Sequence, residues 1–412
     1  MDLKDILPGK LGFGGAPLGN MFRDIPEAEA LATVAAAWDN GIRYYDNAPL
    51  YGAGLAELRM GEALQGKPRG EYVISTKVGR IILDELEDVS SRQQGEKAGV
   101  FAHGRQNRVV NDYSYDATLR SIDGSLERLR TDHIEIAFVH DLARDFWGDE
   151  WVARFEEART GAFRALDRLR DEGVIKAWGL GVNLCEPIET LLDLQEPRPD
   201  CFLLAGRYTL LDHSRALQRV MPTVAERGLS IVVGGPYSSG ALVGGPNFEY
   251  APATPAILDK VARIEAIATR HGVSMKAAGL QFPLAHPAVA AVIPGASRPG
   301  RILEDTRRWR RTFLPTSGAS CARPALSIRW HRYRMRTDGR SARRSFLDRA
   351  VDGERRRRRE RPMVCRGRKG SPSARFLPPT HRQRQARGKC REGSRFGMAE
   401  PISCRRCPGS TR

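Results

Sequence analysis

Cysteine is scarce before residue 307, and long apolar runs are missing from the whole chain of 412 residues. Of the 7 cysteines, Cys185 and Cys201 alone precede residue 307, so no disulfide framework is expected there. No run of about 18 apolar residues occurs, which argues against a membrane-spanning helix. The start, Met1–Lys4, has no charged segment followed by an apolar one, so no secretory signal is expected. We therefore expect a cytoplasmic protein that does not bind membranes.

Acidic residues are scarce beyond residue 306. Residues 307–412 contain 32 Lys and Arg against 7 Asp and Glu, a net charge of +25. Subtraction from the totals of 66 and 49 leaves 34 basic and 42 acidic residues before residue 307, a net charge of −8. The overall charge of +17 is therefore a property of the C-terminal segment. We predict a folded domain over residues 1–306 and an arginine-rich segment over residues 307–412.

Lysine is nearly absent from the arginine-rich segment. Lys369 and Lys389 are its two lysines, and Arg355–Arg359 form an unbroken block. GC-rich DNA read in a shifted frame encodes such a composition, so we favour an out-of-frame extension. Two alternatives stay open, a basic arm that binds nucleic acid non-specifically and a zinc module on the lone Cys404–Cys407 pair. The first two interpretations predict disorder, because the segment cannot bury enough apolar area to offset its ordering entropy.

Eight apolar segments alternate with helical patterns over the first 300 residues or so. The predicted strands are Leu11–Gly15, a run ending at Asp46, Tyr72–Lys77, Ile134–Val139, Val174–Val182, 201–205, Leu229–Val233 and Val289–Ile293. They are apolar throughout, as expected of strands buried on both faces. An open doubly wound sheet and a closed (β/α)₈ barrel both give this alternation. The dinucleotide fingerprint G-x-G-x-x-G fails after Gly12, because Pro17 stands at its third glycine.

Polar residues at the ends of successive strands favour the barrel. Asp46, Lys77, His140 and Asn183 each stand at or directly after the carboxyl end of a predicted strand. Active sites of (β/α)₈ barrels are built at that end. We therefore predict a TIM barrel with a site at its C-terminal face. The stretch Gly79–Tyr113 shows no clear period, and so long a loop inside a compact domain is usually functional or disordered.

A phenol, an amine, a carboxylate and an imidazole in one cavity suit proton transfer. A free tyrosine has a pKa of about 10, and a neighbouring ammonium lowers it. We predict that Lys77 lowers the pKa of Tyr51 and that Asp46 keeps Lys77 charged. His140 would hold a substrate oxygen. The set suits proton transfer at a carbonyl or alcohol oxygen while a hydride moves at the same carbon.

Plainer explanations exist for the same residues. Asp46 and Tyr51 could be a strand end capped by a turn and a packed ring. Lys77 at a strand end is commonly a solvated charge. A metal site on His133, His140 and Asp141 is a further option. No H-x-x-x-H or C-x-x-C motif accompanies those three residues, so no metal is predicted.

Ordered blocks of sequence mark residues 8–306, and they are Tyr45–Gly52, Ser75–Lys77, Val139–Asp141, Gly52–Glu57, Asp112–Asp116, Arg207–Asp212, Val232–Pro236 and Ile293–Pro299. In the order and spacing of these blocks the sequence resembles the aldo-keto reductase superfamily. The last five resemble bacterial sugar 1-dehydrogenases of the L-fucose or D-threo-aldose type, and pyridoxal 4-dehydrogenase. The resemblance implies a (β/α)₈ fold that uses NAD or NADP and acts on a small sugar or aldehyde.

The resemblance also implies roles for individual residues. The implied catalytic residues are Tyr51 as general acid or base, Lys77 and Asp46 as its tuning pair, and His140 as the substrate-orienting group. The implied cofactor-binding residues are Asn183, Gly235, Pro236, Ser239, Gly240, Leu242, Ser297, Arg298, Arg301 and Glu304. Asn183 would hold the nicotinamide carboxamide, Arg301 a 2′-phosphate and Glu304 the adenine. The pyrophosphate would lie by the loops after strands seven and eight and a helix N-terminus.

Departures from the family pattern concern the cofactor. Gly295 stands where many relatives have a lysine for the 2′-phosphate, which leaves NAD at least as well supported as NADP. Gly234 replaces the aromatic that stacks on nicotinamide in many relatives, so that contact is absent or supplied elsewhere. Asn183 is followed by Leu184 instead of a second asparagine, and the glutamine expected near Leu204 is missing.

The sequence therefore predicts an NAD(P)-dependent oxidoreductase. The preferred reaction is oxidation of an aldose at C1 to the lactone, with pyridoxal 4-dehydrogenase or a general aldehyde or ketone reductase as alternatives. Two alternatives are not enzymes. One is a nucleic-acid-binding protein that acts through the arginine-rich segment, and the other is a catalytically silent barrel. Because the family-like sequence ends after Arg308, where relatives often close the substrate pocket, activity is expected to be impaired.

Overall fold

Eight short parallel strands form the centre of the computed structural model, which describes residues 2–89, 99–194 and 196–310. The barrel strands are β1 (Phe13–Gly14), β2 (Tyr44–Asp46), β3 (Val73–Val78), β4 (Ile136–His140), β5 (Ala177–Val182), β6 (Cys201–Ala205), β7 (Ser230–Gly234) and β8 (Val289–Ile293). Each pairs in parallel with the next. Bridges from Leu11 to Val292 and from Gly14 to Gly295 close the ring. The predicted (β/α)₈ barrel is confirmed.

Helices follow the strands along the chain. Their bounds are Leu3–Ile6, Glu27–Asp39, Leu55–Leu64, Tyr115–Leu129, Arg144–Trp147, Trp151–Thr160, Ala162–Asp171, Glu186–Asp193, Val220–Glu226, Pro255–Arg270, Met275–Gln281 and Pro299–Arg310. Ser114 and Ser274 cap two of them by accepting a backbone N–H with the side chain, which satisfies a donor that the helix leaves unpaired. None of the helices in the described part of the chain is long and apolar enough to cross a membrane.

The interior of the barrel is filled by side chains that point inward from the strands. They are Tyr44, Val73, Ile136, Phe138, Ala177, Cys201, Leu203, Val232, Ala291 and Ile293, and Leu3 and Leu7 pack against them. The Ser230 hydroxyl donates to Asp2 at 2.6 Å, which ties the N-terminal segment to β7. A second apolar cluster includes the outward-facing strand residues and the helices. Burial on both faces explains why the strands show no polar alternation.

The stretch without a period, 79–113, is in part a β-hairpin. Arg80–Leu86 pairs antiparallel with Asn107–Asn111, which the sequence did not predict. Its first strand is buried at Arg80 and becomes progressively more exposed toward Leu86, so it has neither an apolar run nor a strict alternation. Residues 90–98 lie outside the part of the chain that the structure describes.

The predicted domain boundary at residue 306 falls inside the last described helix, Pro299–Arg310, in which Asp305 and Thr306 are buried. Residues 307–310 of the predicted arginine-rich segment continue this helix, contrary to the disorder expected from residue 307 onward. Residues 311–412 lie outside the described residues, and the interpretations of them stay predictions.

Candidate active site

A cleft of about 680 Å³ opens at the C-terminal mouth of the barrel, and Tyr51, Lys77, His140 and Asn183 line it. Lys77 and His140 stand on β3 and β4, Asn183 directly follows β5, and Tyr51 lies in the turn after β2. Much of the remaining wall is apolar and consists of Ala16, Met21, Leu50, Val100, Phe101, Phe146, Val182, Leu203 and Ala205. A mostly apolar cleft with a few convergent polar groups is typical of a small-molecule site.

A buried ion pair forms the floor of this cleft. Lys77 Nζ donates to Asp46 Oδ2 at 2.8 Å and to the Asn47 carbonyl at 2.7 Å. The side chains of Lys77 and Asp46 are 1% and 3% exposed. Ser75 Oγ donates to Asp46 Oδ1 at 2.7 Å and lies 3.0 Å from the Tyr44 hydroxyl. Burial raises the pKa of Asp46, while the Lys77 ammonium and the Ser75 hydroxyl lower it. These bonds fix the position of the ammonium.

Three neighbours surround the ring of Tyr51. Lys77 Nζ lies over the ring, 4.7 Å from its centroid. The imidazole of His140 meets the ring edge-on, with 5.8 Å between the ring centroids. Phe101 stacks on it at 5.7 Å. The four predicted catalytic residues, Asp46, Tyr51, Lys77 and His140, thus lie together. The contact with Phe101, which belongs to the stretch 79–113, was not predicted.

The pKa of Tyr51 differs from the prediction. Burial raises this pKa well above its ordinary value, and the carboxylates of Asp46 and Asp141 raise it further. The prediction that Lys77 lowers the pKa of Tyr51 is therefore wrong. Asp46 lies 2.8 Å from the ammonium and compensates its charge, so the desolvation of the phenolate dominates. At neutral pH the phenol carries its proton.

His140 is neutral at neutral pH. Burial lowers its pKa well below the usual value, and the charges of Lys77 and Arg80 lower it further. Its Nε2 lies 3.6 Å from Asp141 Oδ2, beyond hydrogen-bond distance. The buried Nδ1 has no hydrogen-bond partner among the described residues. Since buried polar atoms are normally paired, a ligand or water is expected to meet this ring.

A buried arginine that the sequence did not single out supports the backbone of His140. Arg80 is 1% exposed and donates to Asp141 Oδ2 at 3.2 Å and to the Tyr113 hydroxyl at 2.9 Å. The Tyr113 hydroxyl in turn donates to the His140 carbonyl at 2.8 Å. Gly79 leaves room for the Tyr113 ring, which an added Cβ would overlap. These contacts fix the end of β4 from the hairpin side.

A second cavity of about 350 Å³ shares part of its lining with the cleft. Its lining consists of Asn183, Ala205, Gly206, Arg207, Gly235, Ser238, Ser239, Phe248, Glu249 and Tyr250. Three of the predicted cofactor residues, Asn183, Gly235 and Ser239, are among them. Asn183 Nδ2 donates to Asp145 Oδ2 at 3.0 Å, which orients the amide.

The other predicted cofactor residues of the β7 loop do not line this cavity. Pro236 is buried, and Gly240 has a φ of +101°. The Leu242 side chain is 1% exposed and packs in an apolar cluster under the loop. It can therefore offer a ligand its backbone but not its side chain.

The predicted residues after β8 lie around the start of the last helix. The Ser297 carbonyl accepts from Arg23 Nη2 at 3.0 Å. Arg298 and Arg301 are exposed. Glu304 pairs with Lys276, and this ammonium lowers the pKa of the Glu304 carboxyl.

The donor set of this region fits a nicotinamide dinucleotide. The amide of Asn183 and the hydroxyl of Ser239 offer neutral donors along the second cavity. Arg298 and Arg301 offer two exposed positive charges beside Ser297, at the N-terminus of the last helix, where backbone N–H groups favour anions.

The alternative metal site is not assembled. His133 Nδ1 lies 2.6 Å from Asp132, and its Nε2 lies 3.2 Å from Glu135. This histidine precedes β4, whereas His140 ends it, so the strand separates them. Within the described ranges, no three His, Cys, Asp or Glu side chains are placed to hold a metal ion.

Gly19 and Gly52 lie in close contact beside Tyr51, and a substitution of Gly52 tests this contact. Gly52 has a φ of +64°, and an added Cβ would collide with the Gly19 carbonyl oxygen. We expect Gly52→Ala to lower the free energy of unfolding by about 2–4 kcal/mol and to reduce turnover. Gly66→Ala is the matched control, because Gly66 has a φ of +73° with nothing within 4 Å. Chemical denaturation should show a loss of about 1 kcal/mol for the control; equal losses would contradict the contact.

The fold and this site define an enzyme-type (β/α)₈ barrel with a small-molecule cleft at its C-terminal face. Residues 10–317 match the model of the Aldo/keto reductase family. The chain belongs to this family, whose members are NAD(P)-dependent oxidoreductases, and the predicted family, enzyme class and cofactor class are confirmed.

Two relatives and one solved structure are similar to the chain over about three quarters of its length. Over 313 residues the chain is 39% identical to pyridoxal 4-dehydrogenase of Microbacterium luteolum, covering 74% of this chain and 90% of that protein. Over 301 residues it is 37% identical to D-threo-aldose 1-dehydrogenase of a Pseudomonas species, covering 72% and 87%. Among solved structures, the holo form of the aldo-keto reductase AKR11C1 from Bacillus halodurans is 26% identical, with a TM-score of 0.55, covering 74% of this chain and 88% of that one.

Proposed function

We propose that the protein oxidises an aldose of the L-fucose or D-threo-aldose type at C1 to the lactone, with NAD or NADP. One observation carries the proposal, the buried Lys77–Asp46 pair beneath Tyr51 and beside a neutral His140 in a single cleft. The D-threo-aldose relative supports an aldose substrate. The other relative supports pyridoxal as the alternative substrate.

The residues of the cleft divide the proton chemistry between them. A bound oxidised nicotinamide supplies the acceptor for the hydride from C1. Tyr51, as phenolate, takes the proton of the C1 hydroxyl. The neutral His140 donates an N–H to the same oxygen and fixes its position. Lys77, held by Asp46, places a positive charge over the Tyr51 ring, where it stabilises the phenolate once it forms.

The cofactor would be held by groups of both cavities. Asn183 would meet the carboxamide of the nicotinamide, and Gly235 and Ser239 would follow the pyrophosphate. Arg301 would meet a 2′-phosphate where one is present. Gly295 supplies no cation for that phosphate, so we expect NAD to bind at least as tightly as NADP.

The raised pKa of Tyr51 predicts how the rate depends on pH. Because the phenol keeps its proton at neutral pH, the reactive phenolate fraction grows as pH rises toward the pKa. We expect the rate of aldose oxidation to rise about tenfold per pH unit between about pH 7 and 9. Steady-state rates at saturating substrate measure this slope. A plateau that begins at or below neutral pH would instead indicate an acidified phenol.

A nicotinamide absorbance assay tests the proposed function. L-Fucose, D-threo-aldoses and pyridoxal are offered with NAD and with NADP to the full chain. The proposal expects reduction of the dinucleotide with an aldose. A protein that binds either dinucleotide and turns over none of these substrates would contradict it and would support the silent barrel.

A truncated chain tests whether the arginine-rich segment affects activity or binds nucleic acid. The truncation is best made after Arg310, because the helix Pro299–Arg310 runs through the boundary predicted at residue 306. Higher activity of the truncated protein would support the predicted impairment. Salt-sensitive nucleic-acid binding that disappears on truncation would support the basic arm.

A further inference from the structure

The buried Arg80 and the imidazole of His140 lie on either side of one carboxylate oxygen. Arg80 Nη2 donates to Asp141 Oδ2 at 3.2 Å, and His140 Nε2 lies 3.6 Å from the same oxygen. The guanidinium is within hydrogen-bond distance of this oxygen, whereas the imidazole is just beyond it. The carboxylate therefore has two possible partners and is bonded to the arginine.

The backbone holds the Asp141 carboxylate beside His140. The Asp141 N–H donates to the Gly181 carbonyl of β5 at 3.0 Å. Its φ of +53° lies in the left-handed region, which aspartate adopts more readily than most residues. The side chain is 12% exposed and lines the cleft. The chain itself thus places a carboxylate next to the imidazole, independently of Arg80.

The guanidinium of Arg80 is fixed by contacts on its other side. Its Nη1 donates to the Gly79 carbonyl at 3.1 Å and to the Tyr113 hydroxyl at 2.9 Å. Its Cζ lies 4.5 Å from the centroid of the Phe146 ring, whose face attracts a cation. Unlike an imidazole, a guanidinium keeps its positive charge throughout the neutral pH range. The Asp141 oxygen therefore meets a permanent charge at a defined place.

The other charges around His140 are largely balanced. Of the described residues that line the cleft with His140, five are titratable or charged, and they are Tyr51, Lys77, Asp141, Asp145 and Tyr250. Lys77 is paired with Asp46. Burial raises the pKa of both tyrosine hydroxyls, so they are neutral. Asp145 accepts from the Asn183 amide. Arg80 therefore decides whether the imidazole faces an uncompensated negative charge at its Nε2.

We propose that Arg80 is a positioning residue that keeps the Asp141 carboxylate from pairing with His140, so that the imidazole stays neutral and its Nε2–H is left for the substrate oxygen. This inference rests on the proposed function. A carboxylate beside an imidazole favours the imidazolium and accepts its N–H. Burial and the charges of Lys77 and Arg80 lower the pKa of His140, which is the direction that the inference requires.

The charge state of His140 tests this role on the full chain without a substrate. We expect the imidazole of the unmodified chain to stay neutral down to about pH 5. Arg80→Met should raise the pKa of His140 and bring its titration between about pH 5 and 8, because Asp141 is then left to the imidazole. Two-dimensional NMR of the histidine side chains measures this, and His140→Gln identifies the signal. An imidazole that stays neutral in Arg80→Met would overturn the inference.

A double substitution shows whether Arg80 acts through Asp141. Arg80→Met combined with Asp141→Asn leaves no carboxylate at this place, so His140 should be neutral again over the same pH range. A structural role of Arg80 through Tyr113 or Phe146 predicts instead that the double variant titrates as the single one does, which would overturn the inference. If Arg80→Met does not fold, Arg80→Gln, which keeps an amide donor, replaces it in both proteins.

Arg69→Met is the matched control, because Arg69 pairs with a buried carboxylate at the opposite end of the same strand. Glu135 directly precedes β4, its side chain is 3% exposed, and its Oε2 lies 2.9 Å from Arg69 Nη2. This variant also removes a guanidinium from a buried carboxylate, but away from the cleft. It should leave the titration of His140 unchanged. A shift as large as that of Arg80→Met would show a general effect of weakening β4 and would overturn the inference.

Turnover is the readout that depends on the proposed function. Below the raised pKa of His140 in Arg80→Met, the imidazolium is bonded to Asp141 and the substrate oxygen loses a donor. With L-fucose or the D-threo-aldose that the unmodified chain oxidises, we expect turnover of Arg80→Met to be about 10- to 100-fold lower at pH 6. This loss should shrink as pH rises toward 9.

The two readouts separate the inference from the proposed function. An equal loss of turnover at every pH would overturn the role of Arg80 in freeing the N–H, whereas the proposed function would stand. If the unmodified chain oxidises no aldose, the proposed function fails, and with it the delivery of the N–H to a substrate oxygen. The NMR titration would still decide whether Arg80 keeps Asp141 from pairing with His140.

Discussion

Tyr51→Phe is expected to lower turnover by about two to four orders of magnitude while the dissociation constant of NADH stays unchanged. The variant removes the phenolic oxygen and keeps the ring, so the contacts with Phe101 and His140 persist. Proton transfer at the substrate oxygen then has no base in place. Steady-state turnover and a fluorescence titration of NADH measure the two effects separately.

A second tyrosine provides the control for this substitution. Tyr208 is buried, packs against Phe282 and does not line the cleft. Tyr208→Phe should change turnover by less than about threefold. Unchanged turnover of the Tyr51→Phe protein would reject the role of the phenol, whereas a parallel loss of NADH binding would point to a distorted cleft.

Lys77→Met is expected to have the second-largest effect, because it leaves a buried carboxylate without its cation. Asp46 is 2% exposed, and removal of one partner of a buried ion pair costs about 3–5 kcal/mol. We expect the free energy of unfolding to fall by about this amount and turnover to fall at least about a hundredfold. Chemical denaturation followed by tryptophan fluorescence measures the first quantity.

A double substitution separates stability from chemistry at this pair. Asp46→Asn removes the unpaired charge, and its amide can still contact the Ser75 hydroxyl, which bonds Asp46 at 2.7 Å. The protein carrying both Lys77→Met and Asp46→Asn should recover most of the lost stability and none of the turnover. Recovery of turnover along with stability would show that the pair acts only as a structural element.

The strands and the polar residues near their ends could be predicted from the sequence because both leave a local pattern in it. Each barrel strand is a short apolar run, and Asp46, Lys77, His140 and Asn183 lie within one residue of the carboxyl ends of four of them. Since parallel strands of a barrel end at one face, sequence position alone predicts that these side chains meet. Their order and spacing also carried the family resemblance, which the comparisons confirmed.

The parts that the sequence did not reveal depend on contacts between distant segments. Arg80 and Phe101 lie in a stretch without a period, and their contacts at the cleft arise from the first strand of the hairpin and from a turn between its two strands. Tyr250 lies in the turn between the short antiparallel strands Asn247–Phe248 and Ala251–Pro252, and the preceding residue, Glu249, pairs with the distant Arg207. The pKa of Tyr51 was predicted in the wrong direction because it depends on burial, which the residue types alone do not give.

In the proposed reaction a hydride leaves C1 of the substrate while Tyr51 takes the hydroxyl proton, and a deuterium label at C1 follows the hydride. An aldose that the protein oxidises is prepared with deuterium at C1, and the reduced dinucleotide is analysed by mass spectrometry. We expect the deuterium to appear in the reduced nicotinamide and Tyr51→Phe to slow the formation of this labelled product by about two to four orders of magnitude. Deuterium lost to the solvent, or an unlabelled reduced nicotinamide formed at the normal rate, would contradict hydride transfer from C1.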